Sequence, residues 1–353
     1  MDASAPGWLR PFSEQIDRQR RFLAEVTARP GSEPGWTTGN QIVLRHPAYL
    51  LRDFGAAKKI SMCPVLVVPP EVNQSYIVDF KPGQSLVEKL REAGFCRVAS
   101  VDWLSASAET RDRDVDDSIT SILECIDALG GRVHLIGLCQ GGWESAIAAA
   151  LEPSRVESLT LVAAPIDFHA GEGMIKWLAA AMPMAAYRTL VALGGGVMKG
   201  EFISTGFDSL LPFDRYFLKH LSLWNHLEEE VWMERYRRIH DWYRSPKDLA
   251  GPMYLRCVRE LFKENRLIRG RLTVLGRKVD LSAIACPLAL VAGSRDHITP
   301  PPQVWAAERV VGSTRILRVE TPGGHVGSFM GSRELNRYWP GLLDWLLEGE
   351  QGP

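Results

Sequence analysis

The sequence predicts an α/β fold with a mostly parallel, doubly wound sheet, and two observations carry that expectation. From residue 64 onward, short apolar runs alternate with helical patterns: PVLVVPP, SLVEKLREAG, RVASVDW, DDSITSILECIDALGG and RVHLIGL follow one another. Parallel strands are covered by helices on both faces, so they read as continuous Val/Ile/Leu runs rather than as alternating ones. The rhythm resumes with SLTLVAAP, breaks, and returns with PLALVAGS and RILRVETPGG. The break, residues 168–285, lacks strand rhythm and is rich in Trp, Tyr, Met and basic helical stretches such as EEEVWMERYRRIHDWYR. That pattern predicts a helical cap inserted before the last strands.

At the N-terminal end, residues 13–27 set Ile16, Phe22, Leu23 and Val26 at helical spacing, and the Pro/Gly-rich ARPGSEPGW stops the helix. A surface helix ahead of the main domain is expected there. The chain is therefore divided into an N-terminal helix and lead-in (1–45), a first core part (46–167), the cap (168–285) and a second core part (286–353). The cap residues Trp177, Trp224, Trp232 and Trp242 fit core packing at helical spacing at least as well as ligand contact.

Composition narrows the function classes. At 353 residues the chain can bury one large core and still carry an insertion. With 46% hydrophobic and 24% charged residues it is neither disordered over long tracts nor collagen-like. Lys and Arg total 41 against 42 Asp and Glu, with no basic cluster, so no nucleic-acid partner is expected. The six cysteines (63, 96, 125, 139, 257, 286) form no C-x-x-C pair, so neither a metal site nor a redox motif is expected, and five of them read as core thiols. No signal-type N-terminus and no run of about 18 apolar residues occurs, which predicts a cytoplasmic protein with reduced thiols and no transmembrane segment.

The chemistry concentrates at VHLIGLCQGG. Gly137-Leu138-Cys139-Gln140-Gly141 is a strand-turn-helix nucleophile elbow with Cys where Ser usually stands, preceded by an apolar strand and followed by the helix ESAIAAALE. Small residues on either side let strand and helix approach while the nucleophile takes a strained backbone conformation. A lone Cys in an apolar strand is commonly a buried structural thiol; the flanking glycines reverse that reading here. A thiol with an ordinary pKa of about 8.5 needs a base to react at neutral pH. The hydrolase-type order of nucleophile, acid and histidine selects Asp296, after PLALVAGS, and His325, after RILRVETPGG. His134 lies inside the elbow strand, and His169, His220, His226 and His240 lie in the cap region. His297 is the competitor, in either a structural or a supporting catalytic role. The oxyanion of an acyl-transfer intermediate needs two donors: the Gln140 N–H and, from the loop PPEVN, the N–H of Val72 or Asn73, since Pro has none.

At these residues the chain resembles the polyhydroxyalkanoate synthases, thiol relatives within the α/β-hydrolase superfamily. The resemblance covers most of residues 35–346. It rests on GLCQGG, PPEVNQSYIVDF, RVASVDW, AAPIDF, LFKENRLIRGRLTVLGRKVDLSAIACP, SRDHITPP and PGGHVG. It implies an α/β-hydrolase fold and an acyltransferase that polymerises 3-hydroxyacyl-CoA into polyester. Cys139 is then the acylated nucleophile, His325 its base, and Asp296 the acid that orients His325 or helps activate the incoming 3-hydroxyl. No bound cofactor is implied, because coenzyme A is released from the substrate. The length resembles the short catalytic-subunit (class III-like) type, which implies a second, non-homologous subunit or a homo-oligomer, and cytoplasmic location at the surface of polyester granules. Trp143 departs from the family pattern and either narrows a substrate channel or packs against the cap. The same triad also suits a thiol-dependent hydrolase with water as acceptor, a polyester depolymerase or acyl-CoA thioesterase; an inactive granule-associated protein is the third alternative.

Overall fold

The computed structural model describes residues 10–28, 35–57, 60–210 and 219–350. In its first half the main elements are α1 (Arg10–Thr27), β1 (Gln41–His46), β2 (Tyr49–Asp53), β3 (Val65–Val68), α2 (Leu86–Ala93), β4 (Val98–Trp103), α3 (Val115–Ala128), β5 (Val133–Leu138), α4 (Gln140–Leu151) and β6 (Val156–Val162). Then come α5 (Met174–Ala181), α6 (Met184–Leu193), α7 (Gly200–Leu210), α8 (Lys219–Asn225), α9 (Glu230–Tyr243), α10 (Gly251–Arg256), β7 (Leu288–Gly293), β8 (Ile316–Thr321) and α11 (Trp339–Glu350).

The apolar runs become strands wherever both of their faces are covered. Eight described strands form one sheet in the order β1-β2-β4-β3-β5-β6-β7-β8. The six from β4 to β8 run parallel, whereas β2 is antiparallel to both of its neighbours. Every residue of β3, β4, β5 and β7 is buried, while edge strand β1 alternates between exposed and half-buried positions. That is the burial expected of a sheet covered on both faces at its centre and solvated at its rim.

Local signals set the helix ends. Ser85 caps α2 by accepting from Glu88 N–H at 2.9 Å, and Gly94, at φ 111°, ends it in the left-handed conformation. Asp114 and Asp117 form a capping box at the start of α3, and Arg256 at the end of α10 donates to Asp114 (2.9 Å) and Asp116 (2.8 Å).

The chain divides into two compact units, one of residues 1–34 and 203–246, the other of residues 35–202 and 247–353. In the first, Leu223, Leu227 and Met233 form a small core that Phe22 and Val26 of α1 complete, together with Trp224, Trp232 and Tyr236. Arg18 donates to the Trp224 carbonyl at 2.8 Å with its guanidinium over the Trp224 ring, and Arg237 pairs with Glu25 at 2.6 Å. The second unit holds the whole sheet.

The expected 168–285 insertion is thus divided: 203–246 associates with the N-terminal helix, and 168–202 and 247–285 belong to the sheet unit. Contrary to the absence of strand rhythm there, two short ladders occur, Val197–Met198 with Leu249–Ala250 and Thr273–Val274 with Arg277–Lys278. Of the four cap tryptophans, Trp242 is buried, Trp224 and Trp232 pack in the first unit, and Trp177 is 61% exposed. The five expected core thiols are corrected as well: Cys125 and Cys257 are buried, but Cys63, Cys96 and Cys286 are only half-buried because they flank the loops below the sheet. The helix stop read in ARPGSEPGW lies mostly outside the described residues, at 29–34, as does the side chain of His220. Among the described residues no helix is long and apolar enough to cross a membrane.

Candidate active site

At the end of β5 the chain turns sharply into α4, and Cys139 occupies the turn at φ 53°, ψ −114°, a conformation that L-residues rarely adopt. Two hydrogen bonds hold it: Cys139 N–H donates to the Val162 carbonyl at 2.9 Å, and Gly142 N–H donates to the Cys139 carbonyl at 3.0 Å. The glycines are sterically required. A Cβ at Gly137 would lie 2.4 Å from the Gly141 carbonyl oxygen, and a Cβ at Gly141 would lie 2.1 Å from that of Val68. Helix α4 therefore enters directly against the end of β3.

The acid and the histidine follow the two last strands of the sheet. Beyond β7, Asp296 N–H donates to the Gly293 carbonyl, while Asp296 Oδ1 accepts from the N–H groups of Ile298 and Thr299, each at 2.9 Å. These bonds fix the carboxylate, which is 4% exposed, so that Oδ2 meets His325 Nδ1 at 2.7 Å. His325 lies on the loop after β8, with Phe329 packed edge-on beside it. The Cys139 side chain is its other polar neighbour. Burial is the largest influence on this imidazole and opposes its charge; the charges of Asp296 and Cys139 and the Asp296 hydrogen bond outweigh it and hold the group well above the usual histidine range. The arrangement suits transfer of a proton from Sγ to the imidazole and stabilisation of the resulting ion pair.

The loop 69–74 leaves β3 and is tied down at two points within it and a third at Ser75, just beyond. Trp103 Nε1 donates to the Pro69 carbonyl at 2.9 Å, Lys247 N–H donates to that of Val72 at 3.1 Å, and Lys247 Nζ donates to Ser75 Oγ at 3.2 Å. Val72, Asn73 and Gln140 are half-buried, and their backbone N–H groups donate to no protein acceptor among the described residues.

The other sequence candidates fall as follows. His297 is exposed beside Asp296, and Trp143 is 3% exposed along α4. His134 bonds Ser158 Oγ, His169 bonds the Phe262 carbonyl, and His226 stacks on Trp232. Among the described residues no group of three or more His, Cys, Asp or Glu side chains could hold a metal ion.

Sequence reasoning missed Glu71 and Glu144, although both lie inside motifs it singled out. Glu144 is fully buried on α4; Oε1 accepts from Gln140 Nε2 at 2.9 Å, and Oε2 has no hydrogen-bond partner among the described residues. Burial, then the negative charges of Glu71 and Cys139, hold its carboxyl well above the usual range against the Gln140 hydrogen bond. Glu71 is raised too, chiefly by burial, although Ser118, Arg113 and Lys247 pull the other way. A lone Glu in the otherwise apolar helix QGGWESAIAAAL was the available signal.

Two outcomes follow for stability. Gly141→Ala places a methyl group against backbone and should cost about 3 kcal/mol, the upper end for overpacking; a denaturant midpoint within error of wild type contradicts the fit. Glu144→Gln tests the buried acid. A folded-state carboxyl raised above its unfolded value of about 4.3 keeps a proton that the unfolded chain releases, so its contribution is full at low pH and declines as pH rises above that value. The Gln variant should therefore melt at least about 2 °C above wild type at pH 8, a shift that corresponds to roughly 1 kcal/mol in a large domain, and level with it near pH 4. Equal melting at both pH values contradicts a neutral Glu144.

Comparison with known proteins follows the same lines. Residues 113–312, more than half of the chain, match the family described as "Protein of unknown function (DUF3141)". A poly(3-hydroxyalkanoate) polymerase subunit PhaC of Haloferax mediterranei is 29% identical over 81% of this chain and 58% of its own length, so the chain spans less than two thirds of that relative. The subunit of the same name from Allochromatium vinosum is 27% identical over 81% of each chain. In fold, the chain is similar to a hydrolase from Pseudomonas aeruginosa (TM-score 0.54, 18% identity, 89% of this chain and 99% of that one). It is likewise similar to a monoacylglycerol lipase of Paleococcus ferrophilus (TM-score 0.53, 15% identity, 85% and 99%). The chain belongs to the DUF3141 family, has the α/β-hydrolase fold, and is a relative of the poly(3-hydroxyalkanoate) polymerase subunits.

Proposed function

We propose that this chain is an acyltransferase that joins 3-hydroxyacyl units from coenzyme A thioesters into a polyester through a thioester on Cys139. The observation that carries the reading is the hydrogen-bonded Asp296–His325 pair beside a cysteine, not a serine, at a nucleophile elbow. Likeness to proteins named poly(3-hydroxyalkanoate) polymerase subunits supports the polymer as product.

In this reading His325 takes the Sγ proton and Cys139 attacks the thioester carbonyl. The oxyanion is received by the N–H of Gln140 and that of Val72 or Asn73, each donor worth roughly 3 kcal/mol. The intermediate collapses with release of coenzyme A, whose sulfur takes the proton back from His325. The hydroxyl at the end of the growing chain then gives its proton to His325 and attacks the acyl-Cys139, which lengthens the polyester by one unit and frees the thiol. Asp296 keeps Nδ1 engaged, so that the other ring nitrogen handles each proton. Coenzyme A leaves as product and no resident cofactor enters any step. The word "subunit" in the relatives' names supports a second, non-homologous subunit or a homo-oligomer as partner, and a polyester product supports a cytoplasmic site of action at granule surfaces.

The deciding assay incubates the protein with 3-hydroxybutyryl-CoA, alone and with oligomer primer, and compares coenzyme A release with polymer and free acid. Polymer supports the reading; free acid alone overturns it in favour of a hydrolase, and no release in favour of an inactive protein. Cys139→Ala should lose at least about 100-fold of the release, the scale of losing a nucleophile or its base. His325→Gln should slow alkylation of Cys139 by iodoacetamide near neutral pH far more than His297→Gln does; the reverse order transfers the base role to His297.

A further inference from the structure

Two carboxyl groups close to Cys139 take no part in the acyl-transfer chemistry. Glu144 stands five residues after Cys139 on the elbow helix, 0% exposed, with one oxygen bonded to Gln140 and the other without a partner among the described residues. Glu71 stands on the loop 69–74, next to Val72, with one oxygen accepting from Ser118 Oγ of α3 at 2.8 Å. No Lys or Arg forms an ion pair with either carboxyl among the described residues.

A buried carboxylate with one hydrogen bond and no counter-ion is a costly species, and it takes up a proton instead. The charges that act on Glu144 raise it, and only the Gln140 hydrogen bond opposes them. Glu71 and the Cys139 sulfur bring negative charge, Gln140 is neutral, and Cys257, on the segment Cys257–Lys263, is a buried thiol kept neutral chiefly by that burial. Arg113 and Lys247 act on Glu71, and Arg256 and Glu260 on Cys257. His325, beside Asp296 and Cys139, is held well above the usual histidine range.

We propose that Glu144 is a positioning residue that works only as the neutral acid: loss of its proton to solvent adds a negative charge beside Cys139 that slows acylation. The added charge opposes both the attacking thiolate and the oxyanion that forms on the neighbouring donors. The inference rests on Cys139 as the acylated nucleophile.

The test is single-turnover acylation of the full chain by butyryl-CoA, followed as coenzyme A release from about pH 6 to 10. Wild type should lose at least tenfold of its rate on an alkaline limb, and Glu144→Gln should move that limb up by at least one pH unit. The direction is diagnostic. A limb caused by deprotonation of His325 would move down in Glu144→Gln, because removing a negative neighbour weakens the imidazolium. An unmoved limb, a limb that moves down, or no limb overturns the proposal. Infrared spectroscopy at neutral pH, without substrate, should show a protonated-carboxyl band that Glu144→Gln removes; its absence from wild type also overturns the proposal. Failure of wild type to release coenzyme A refutes the acyl-transfer reading instead, and the infrared band still decides the protonation of Glu144. Glu144→Gln is nearly isosteric and keeps an acceptor for Gln140, so the variant should fold.

Discussion

One steric condition underlies the candidate site: the first turn of α4 enters so close to the end of β3 that no side chain fits between Gly141 and the Val68 carbonyl. The chain can make that approach only by bending sharply at Cys139, and the left-handed conformation of this residue is the result. The bend lifts the thiol out of the strand and starts a helix whose first N–H groups lack the usual intrahelical partners, that of Gln140 donating to no protein acceptor among the described residues. It also brings the loop after β3 alongside those groups. Because β3, β5, β6, β7 and β8 run parallel, the loops that follow them emerge at the same edge of the sheet. Asp296 and His325 stand on two of those loops, and residues 69–74 form another.

Around this geometry the charges are sorted. Asp296 and the sulfur hold the imidazole well above the usual histidine range despite its burial. Glu144 is driven toward the neutral form by burial and by the charges of Glu71 and Cys139, and Glu71 is raised chiefly by burial. Environments that push the titration of neighbouring groups apart are how one site holds both a proton donor and a proton acceptor at a single pH. The fixed loops support the same division: Trp103 and Lys247 tether 69–74 by its carbonyls and leave its N–H groups turned elsewhere.

Much of this was legible in the sequence, for reasons particular to each element. The central strands read clearly because double-sided burial writes itself as unbroken Val/Ile/Leu runs, and Cys139, Asp296 and His325 each stand where such a run gives way to glycine or turn residues. The hairpin of β1 and β2 escaped because its connection, Pro47-Ala48, carries none of the Asn-Gly or Asp-Gly chemistry that marks a two-residue turn. The association of α1 with residues 203–246 escaped because it joins segments some 200 positions apart, as in the bond from Arg18 to Trp224. Glu144 was passed over; only the packing of the strands and loops against α4 makes it a buried acid.

The central claim is that Cys139, activated by His325, accepts an acyl group from coenzyme A. Its most direct measurement is the intact mass of the protein, with peptide mapping, after brief exposure to butyryl-CoA, whose acyl group lacks the hydroxyl needed to extend a chain. The account predicts a single butyryl adduct on Cys139 that hydroxylamine removes. An adduct on another residue, or an unmodified Cys139 together with coenzyme A release, would contradict it.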